Sequence, residues 1–156
     1  MFNFLLSIFI TKYIMGLCNS KLEKLDDNIE LFSLNNRIFD AKIVKVYDGD
    51  TCFAVFMLDN KPVKFKIRMM GYDSPEMKPL LSNVNRNDEI KKAVRARDEL
   101  TKLVLNKCVK LECGNWDKYG RLLGTIYIEN NMCVNLHMIE NKFGYKYDGG
   151  KKITYS

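Results

Sequence analysis

Apolar and polar positions divide residues 38–150 into five strands and two helices. Ile43, Val44 and Val46 give Ile38 to Tyr47 the β-branched content of a strand. Cys52 to Leu58 predicts a second strand and Val63 to Met70 a third. The third alternates cleanly: Val63, Phe65, Ile67 and Met69 point one way, and Lys64, Lys66 and Arg68 the other. Arg68 thus sits on the polar face of its strand, where the plain reading is a solvent-facing residue. Asp48-Gly49-Asp50 reads as a hairpin turn, because Asp-Gly pairs tolerate positive φ. Asp59-Asn60-Lys61-Pro62 reads as the next turn.

After a polar loop, Asn83 to Asn87, the period lengthens. Asp88 to Asn106 has helical spacing, with Ile90, Val94, Leu100, Leu103 and Val104 on one apolar face. Asp88 and Glu89 at its start suit the helix dipole. Val109 to Cys113 and Leu122 to Glu129 predict two more strands, Asn130-Asn131 a turn, and Val134 to Lys142 a short second helix. This order predicts an α+β, mainly β fold: a five-stranded OB-type Greek-key barrel with one main helix and a short second helix.

Ahead of the barrel, residues 1–20 form a hydrophobic segment and 21–37 fit a linker or short helix. The apolar run from Phe2 to Ile10 is short for a bilayer span, and Lys12 interrupts the apolar character soon after it. A signal or anchor is one reading. The other starts at Met15: Met15-Gly16-Leu17-Cys18-Asn19-Ser20 fits N-myristoylation at Gly16, with Cys18 open to palmitoylation. Both imply membrane association through the N-terminus, with secreted and soluble cytoplasmic forms as the alternatives. A basic tail, 151–156, comes after the barrel region.

Composition adds two constraints. Lys and Arg number 25 against 19 acids, a formal charge of +6 that favours a polyanionic partner, nucleic acid or an acidic membrane surface. Five cysteines (Cys18, Cys52, Cys108, Cys113 and Cys133) form no C-x-x-C pair, and with a single histidine, His137, they offer no zinc constellation. Thiols in apolar strands behave as small core residues and favour a reducing compartment. His137 reads as a packed or surface residue.

The chemistry-bearing residues gather at strand ends and loops. Asp50 ends the first turn; Asp73 and Glu76 come just after the third strand; Arg121 opens the fifth. Carboxylates hold hard cations and activate water. Arginines grip phosphate with a planar fork. One pocket holding both is a candidate phosphodiesterase. Each residue also has a plainer reading: turn chemistry for Asp48 and Asp50, a solvated loop acid for Glu76, a surface charge for Arg121.

Asp-Gly-Asp-Thr at 48–51, Ile-Arg at 67–68, Asp-Ser-Pro-Glu at 73–76 and Asp-Lys-Tyr-Gly-Arg at 117–121 resemble, in order and spacing, the staphylococcal nuclease (thermonuclease) family. The resemblance covers residues 38 to 150. It implies the OB-type barrel and Ca²⁺ held by Asp50, Asp73 and the backbone carbonyl of Ser74, which stands where the family has threonine. It implies Glu76 as the base or the group orienting the attacking water, and Arg68 and Arg121 as clamps on the scissile phosphate. Lys118, Tyr119, Tyr145 and Tyr147 then become the remaining substrate contacts, where strand packing is the ordinary use of tyrosine. The implied activity is a monomeric endonuclease cleaving DNA and RNA, single strands preferred, with little base selectivity and 3′-phosphate ends. The alternatives are a non-catalytic OB-type module that binds nucleic acid, and a membrane-attached protein whose barrel binds an acidic partner. The segment from Met77 to Asn87 departs from the family's loop and bears on substrate fit.

Overall fold

The structure, a computed structural model, describes residues 22–150. The chain divides into two units, Met1–Ser33 and Leu34–Ser156. Gly16 and Cys18, with the signal, anchor and acylation readings, lie outside the described residues, as does the basic tail. Between 22 and 33 the backbone runs through turns, and the Asp26 carboxylate accepts from the backbone and side-chain N–H groups of Asn28.

The second unit is the predicted barrel. β1 (Ile38–Val46), β2 (Thr51–Leu58) and β3 (Lys61–Met69) form an antiparallel meander. β5 (Cys108–Trp116) pairs with β1, and β6 (Leu122–Ile128) pairs with β5. The barrel closes through a short parallel contact of β6 with β3, Ile67 opposite Leu122. Three two-residue strands escaped the sequence pattern: β4 (Tyr72–Asp73), β7 (Met132–Cys133) and β8 (Tyr145–Lys146). Two residues are too few to show a period. The helices are α1 (Arg86–Val104) and α2 (Val134–Glu140).

Inside the barrel, Ala41, Ile43, Ala54, Phe56, Ile67, Leu111, Leu122 and Ile126 are buried together. α1 caps this core with Ala96, Leu100 and Val104, and α2 adds Val134 and Met138. The buried stripe of α1 therefore runs through Ala93, Ala96, Leu100 and Val104; the expected Leu100 and Val104 lie in it, whereas Ile90, Val94 and Leu103 are half-buried. Small residues let the helix lie close to the barrel. Cys52, Cys108, Cys113 and Cys133 are free thiols; burial pushes Cys52 up to about 12, so it packs and does not react.

Two turn expectations need correction. Asp59 and Asn60 do take positive φ, 48° and 63°, as a two-residue hairpin requires, but Lys61 and Pro62 already belong to β3. Asp48 and Gly49 do not take positive φ. Glycine is needed at 49 because of crowding: a Cβ there would lie 2.8 Å from the Cβ atoms of both Ala96 and Ser74. The turn is held instead by Asp48, whose Oδ1 accepts from the Asp50 N–H at 3.1 Å.

Candidate active site

Strand pairing brings the distant segments together. Thr51 lies opposite Arg68 across β2 and β3, which sets Asp50 beside the Arg68 guanidinium. The parallel contact of β3 with β6 brings Arg121, just before Leu122, to the same end of the barrel. β4 pairs with β8, placing Asp73 opposite Tyr145. A cleft of about 970 Å³ opens there, and its walls include Asp50, Arg68, Asp73, Ser74, Glu76 and Arg121. Lys118, Tyr119 and Tyr147 line it as well. Tyr145 reaches the site from behind, its hydroxyl donating to Asp73 Oδ2 at 2.7 Å.

The floor is a buried charge cluster. Arg68 is 7 % exposed, against the alternating pattern of β3, because Asp50 and Asp73 draw it inward. Its two terminal nitrogens lie 3.2 Å from Asp50 Oδ2 and 2.5 Å from Asp73 Oδ1. Asp50 also accepts from the Ser74 N–H at 2.8 Å and from the Thr51 hydroxyl at 3.0 Å. Even so, burial outweighs Arg68 and pushes the Asp50 carboxyl up to about 7, with Asp48 and Asp73 adding to the rise. One guanidinium does not fully compensate these neighbouring acids. Tyr72 seals the floor from below, its hydroxyl donating to the Gly49 carbonyl at 2.8 Å; burial, then the charge of Asp50, holds that phenol protonated.

Glu76 is exposed on the cleft wall. Its backbone N–H donates to Glu89 of α1 at 3.3 Å, and Glu89 also accepts from the Asn83 amide. Glu89 thus ties the Glu76 loop to the main helix. On the opposite wall Asp117 builds the turn that presents Arg121. Its carboxylate accepts from the backbone N–H groups of Tyr119 and Arg121 and from Arg121 Nε at 2.6 Å. Burial pushes the Asp117 carboxyl up, but those hydrogen bonds together outweigh it and hold the group below the usual carboxylate value. Lys118 Nζ lies 5.1 Å and Arg121 Cζ 5.4 Å from the centroid of the Tyr119 ring.

Three supporting residues were missed from sequence. Glu89 carried a signal only as a first-turn helix acid, and Asp117 only as part of its motif. Asn135 had a better one, a polar residue beside Val134 in an apolar helix. Its buried side chain accepts from the Ile126 N–H and donates to the carbonyls of Gly124 and Met70, fixing the corner between Arg68 and Asp73. His137 is packed, as expected: it stacks on Phe143 and meets Glu99 at 3.1 Å.

The donor set fits a hard cation. It consists of two buried carboxylates and the backbone of a buried Ser74, without nitrogen or sulfur ligands, and one guanidinium, that of Arg68, pairs with both acids. Among the described residues no three His, Cys, Asp or Glu side chains converge, so any such site rests on two acids and backbone or water oxygen.

A closed five-stranded barrel with acids and arginines gathered in one cleft defines the class, and comparison with known proteins agrees. The family model described as staphylococcal nuclease homologue matches residues 66–150, more than half of the chain, and the chain belongs to that family. It is 36 % identical over 84 residues to staphylococcal-like nuclease CAN1 of Arabidopsis thaliana, covering 54 % of this chain and 22 % of the relative. It is 28 % identical over 108 residues to an uncharacterized endonuclease of Escherichia coli, covering 69 % of this chain and 61 % of the relative. A probable staphylococcal-like nuclease of Oryza sativa subsp. japonica, CAN3, matches at 35 % over 78 residues, 50 % of this chain and 18 % of the relative. The chain thus spans from about a fifth to three fifths of these relatives' lengths.

Proposed function

We propose that this chain is a calcium-dependent endonuclease that hydrolyses phosphodiester bonds of DNA and RNA with little sequence selectivity. The observation that carries the reading is the shared cleft in which Asp50, Arg68 and Asp73 form the floor and Glu76 and Arg121 the walls. Asp50, Asp73 and the Ser74 carbonyl would hold the cation, which neutralises a phosphate oxygen and lowers the pKa of water near it.

The chain's own residues do the rest. Arg121, anchored by Asp117, and Arg68, exchanging one carboxylate contact for a phosphate oxygen, grip the phosphoryl group as charge builds on it. Glu76 orients the water opposite the leaving 5′-oxygen and accepts its proton. The new bond is water oxygen to phosphorus; the O5′–P bond breaks, and O5′ leaves as a hydroxyl after taking a proton from solvent. The products carry 3′-phosphate ends. Tyr119 and Tyr147 flank the strand, and backbone contacts of this kind carry no sequence information.

A second reading, a non-catalytic binding module, draws on one observation: each oxygen of Asp50 and Asp73 already has a partner within the protein. End-group analysis of single-stranded DNA and RNA incubated with Ca²⁺ separates the two. New 3′-phosphate ends, lost in Arg68→Ala and Arg121→Ala, support the nuclease. Binding without cleavage in any divalent cation supports the module.

A further inference from the structure

The outer face of the meander carries a second feature that the cleft does not use. Lys42 and Lys45 of β1, Phe53 and Val55 of β2, and Lys64 and Lys66 of β3 lie across it in register. Lys42 pairs with Val55, Lys45 with Phe53, Val55 with Lys64, and Phe53 with Lys66. An odd spacing would ordinarily put Lys42 and Lys45 on opposite faces. The irregularity between Ile43 and Lys45 inserts one residue and returns both to the outside. All four lysines are exposed.

Three of the four ammonium groups are placed over rings. Lys45 Nζ and Lys64 Nζ lie 5.7 and 5.4 Å from the centroid of Phe53, and Lys66 Nζ lies 4.9 Å from that of Tyr47. Like charges gathered on adjacent strands repel. Asp40, two residues before Lys42 on β1, stands at the edge of this face and is held by Lys110 of β5 at 2.7 Å. Among the described residues no acid stands between the four lysines on the meander. Lys66 and Tyr47 line the cleft as well, so the cationic face runs into it without a break.

We infer that this face is a track for the phosphodiester backbone of single-stranded nucleic acid leading to the cleft. Charge complementarity and continuity with the cleft set the occupant, so the inference rests on the cleft's taking a phosphodiester. Strands 2 and 3 of OB barrels offer a face of this kind to oligonucleotides. Phe53, covered by two ammonium groups, acts as a positioning residue: it fixes the cations, while the half-exposed Tyr47 ring is open to a base at the cleft rim.

The test uses the full chain and the double variant Lys45→Gln/Lys64→Gln, neither residue lining the cleft. Anisotropy of a labelled ~20-nucleotide DNA strand, read in EDTA across a salt series, measures the track. The variant should bind about tenfold more weakly at low salt, with a log K against log salt slope shallower by about 1.4, two contacts at ~0.7 each. Hydrolysis of a nitrophenyl nucleotide diester, too small to reach the track, should be unchanged. Phe53→Leu should give part of the binding loss with both lysines present. Unchanged affinity and slope in the double variant would overturn the inference. So would loss of binding to anionic phospholipid vesicles alone, which would assign the face to a membrane. If the wild type hydrolyses no diester but the binding loss appears, the cleft reading fails and the track stands.

Discussion

Asp50→Asn should separate what this acid does to the fold from what it does for chemistry. The folded protein holds the Asp50 proton up to about pH 7, because burial outweighs Arg68, whereas the value in the absence of these surroundings is 3.8. Over that window the unfolded chain binds fewer protons than the folded one, so stability falls as pH rises and levels off above it. Three pKa units correspond to a ceiling of about 4 kcal/mol. The attraction of Arg68, at 3.2 Å, is already contained in that raised value, so the ceiling stands for a neutral side chain at this position. Urea unfolding in EDTA should therefore show the variant gaining up to about 4 kcal/mol on the wild type between roughly pH 4 and pH 8. Added Ca²⁺ should then stabilise the wild type and leave the variant unmoved, since only a folded state that binds the ion gains. A stability difference that stays flat with pH, or an equal calcium response in both proteins, would refute the reasoning.

Asn135→Ala should cost about 3 kcal/mol in urea unfolding, because the Ile126 N–H and the Met70 carbonyl lose a buried partner. Glu89→Ala should release the Glu76 loop and, if Glu76 has the proposed role on the water, lower kcat about tenfold with KM little changed. Asp117→Ala should free Arg121 and lower kcat/KM by about a hundredfold, measured by initial rates on single-stranded DNA.

Strand alternation and the helical period made the barrel legible, because each strand of the meander has one face on the core. The alternation of β3 breaks down at Ile67, Arg68 and Met69, all buried, because Arg68 answers to Asp50 and Asp73 and not to solvent. The period of β3 does not announce that burial: one partner, Asp73, comes after the strand, and the other, Asp50, is separated from Arg68 by the whole of the β2–β3 hairpin. Gly49 was legible as a turn residue for the wrong reason: its constraint comes from Ala96 and Ser74, brought close only by folding. The residues proposed for the chemistry stood in motifs, whereas Glu89 and Asn135, which hold those segments in place, act through contacts across the fold that periodicity does not report.

The most direct measurement is digestion of plasmid DNA and RNA by the full chain with Ca²⁺, with Mg²⁺ and with chelator, beside Glu76→Gln. Cleavage in Ca²⁺ that stops in chelator and falls at least a hundredfold in Glu76→Gln is the expected result. Cleavage that continues undiminished in chelator, or in Glu76→Gln, would contradict the claim that acids and arginines sharing this cleft perform the hydrolysis.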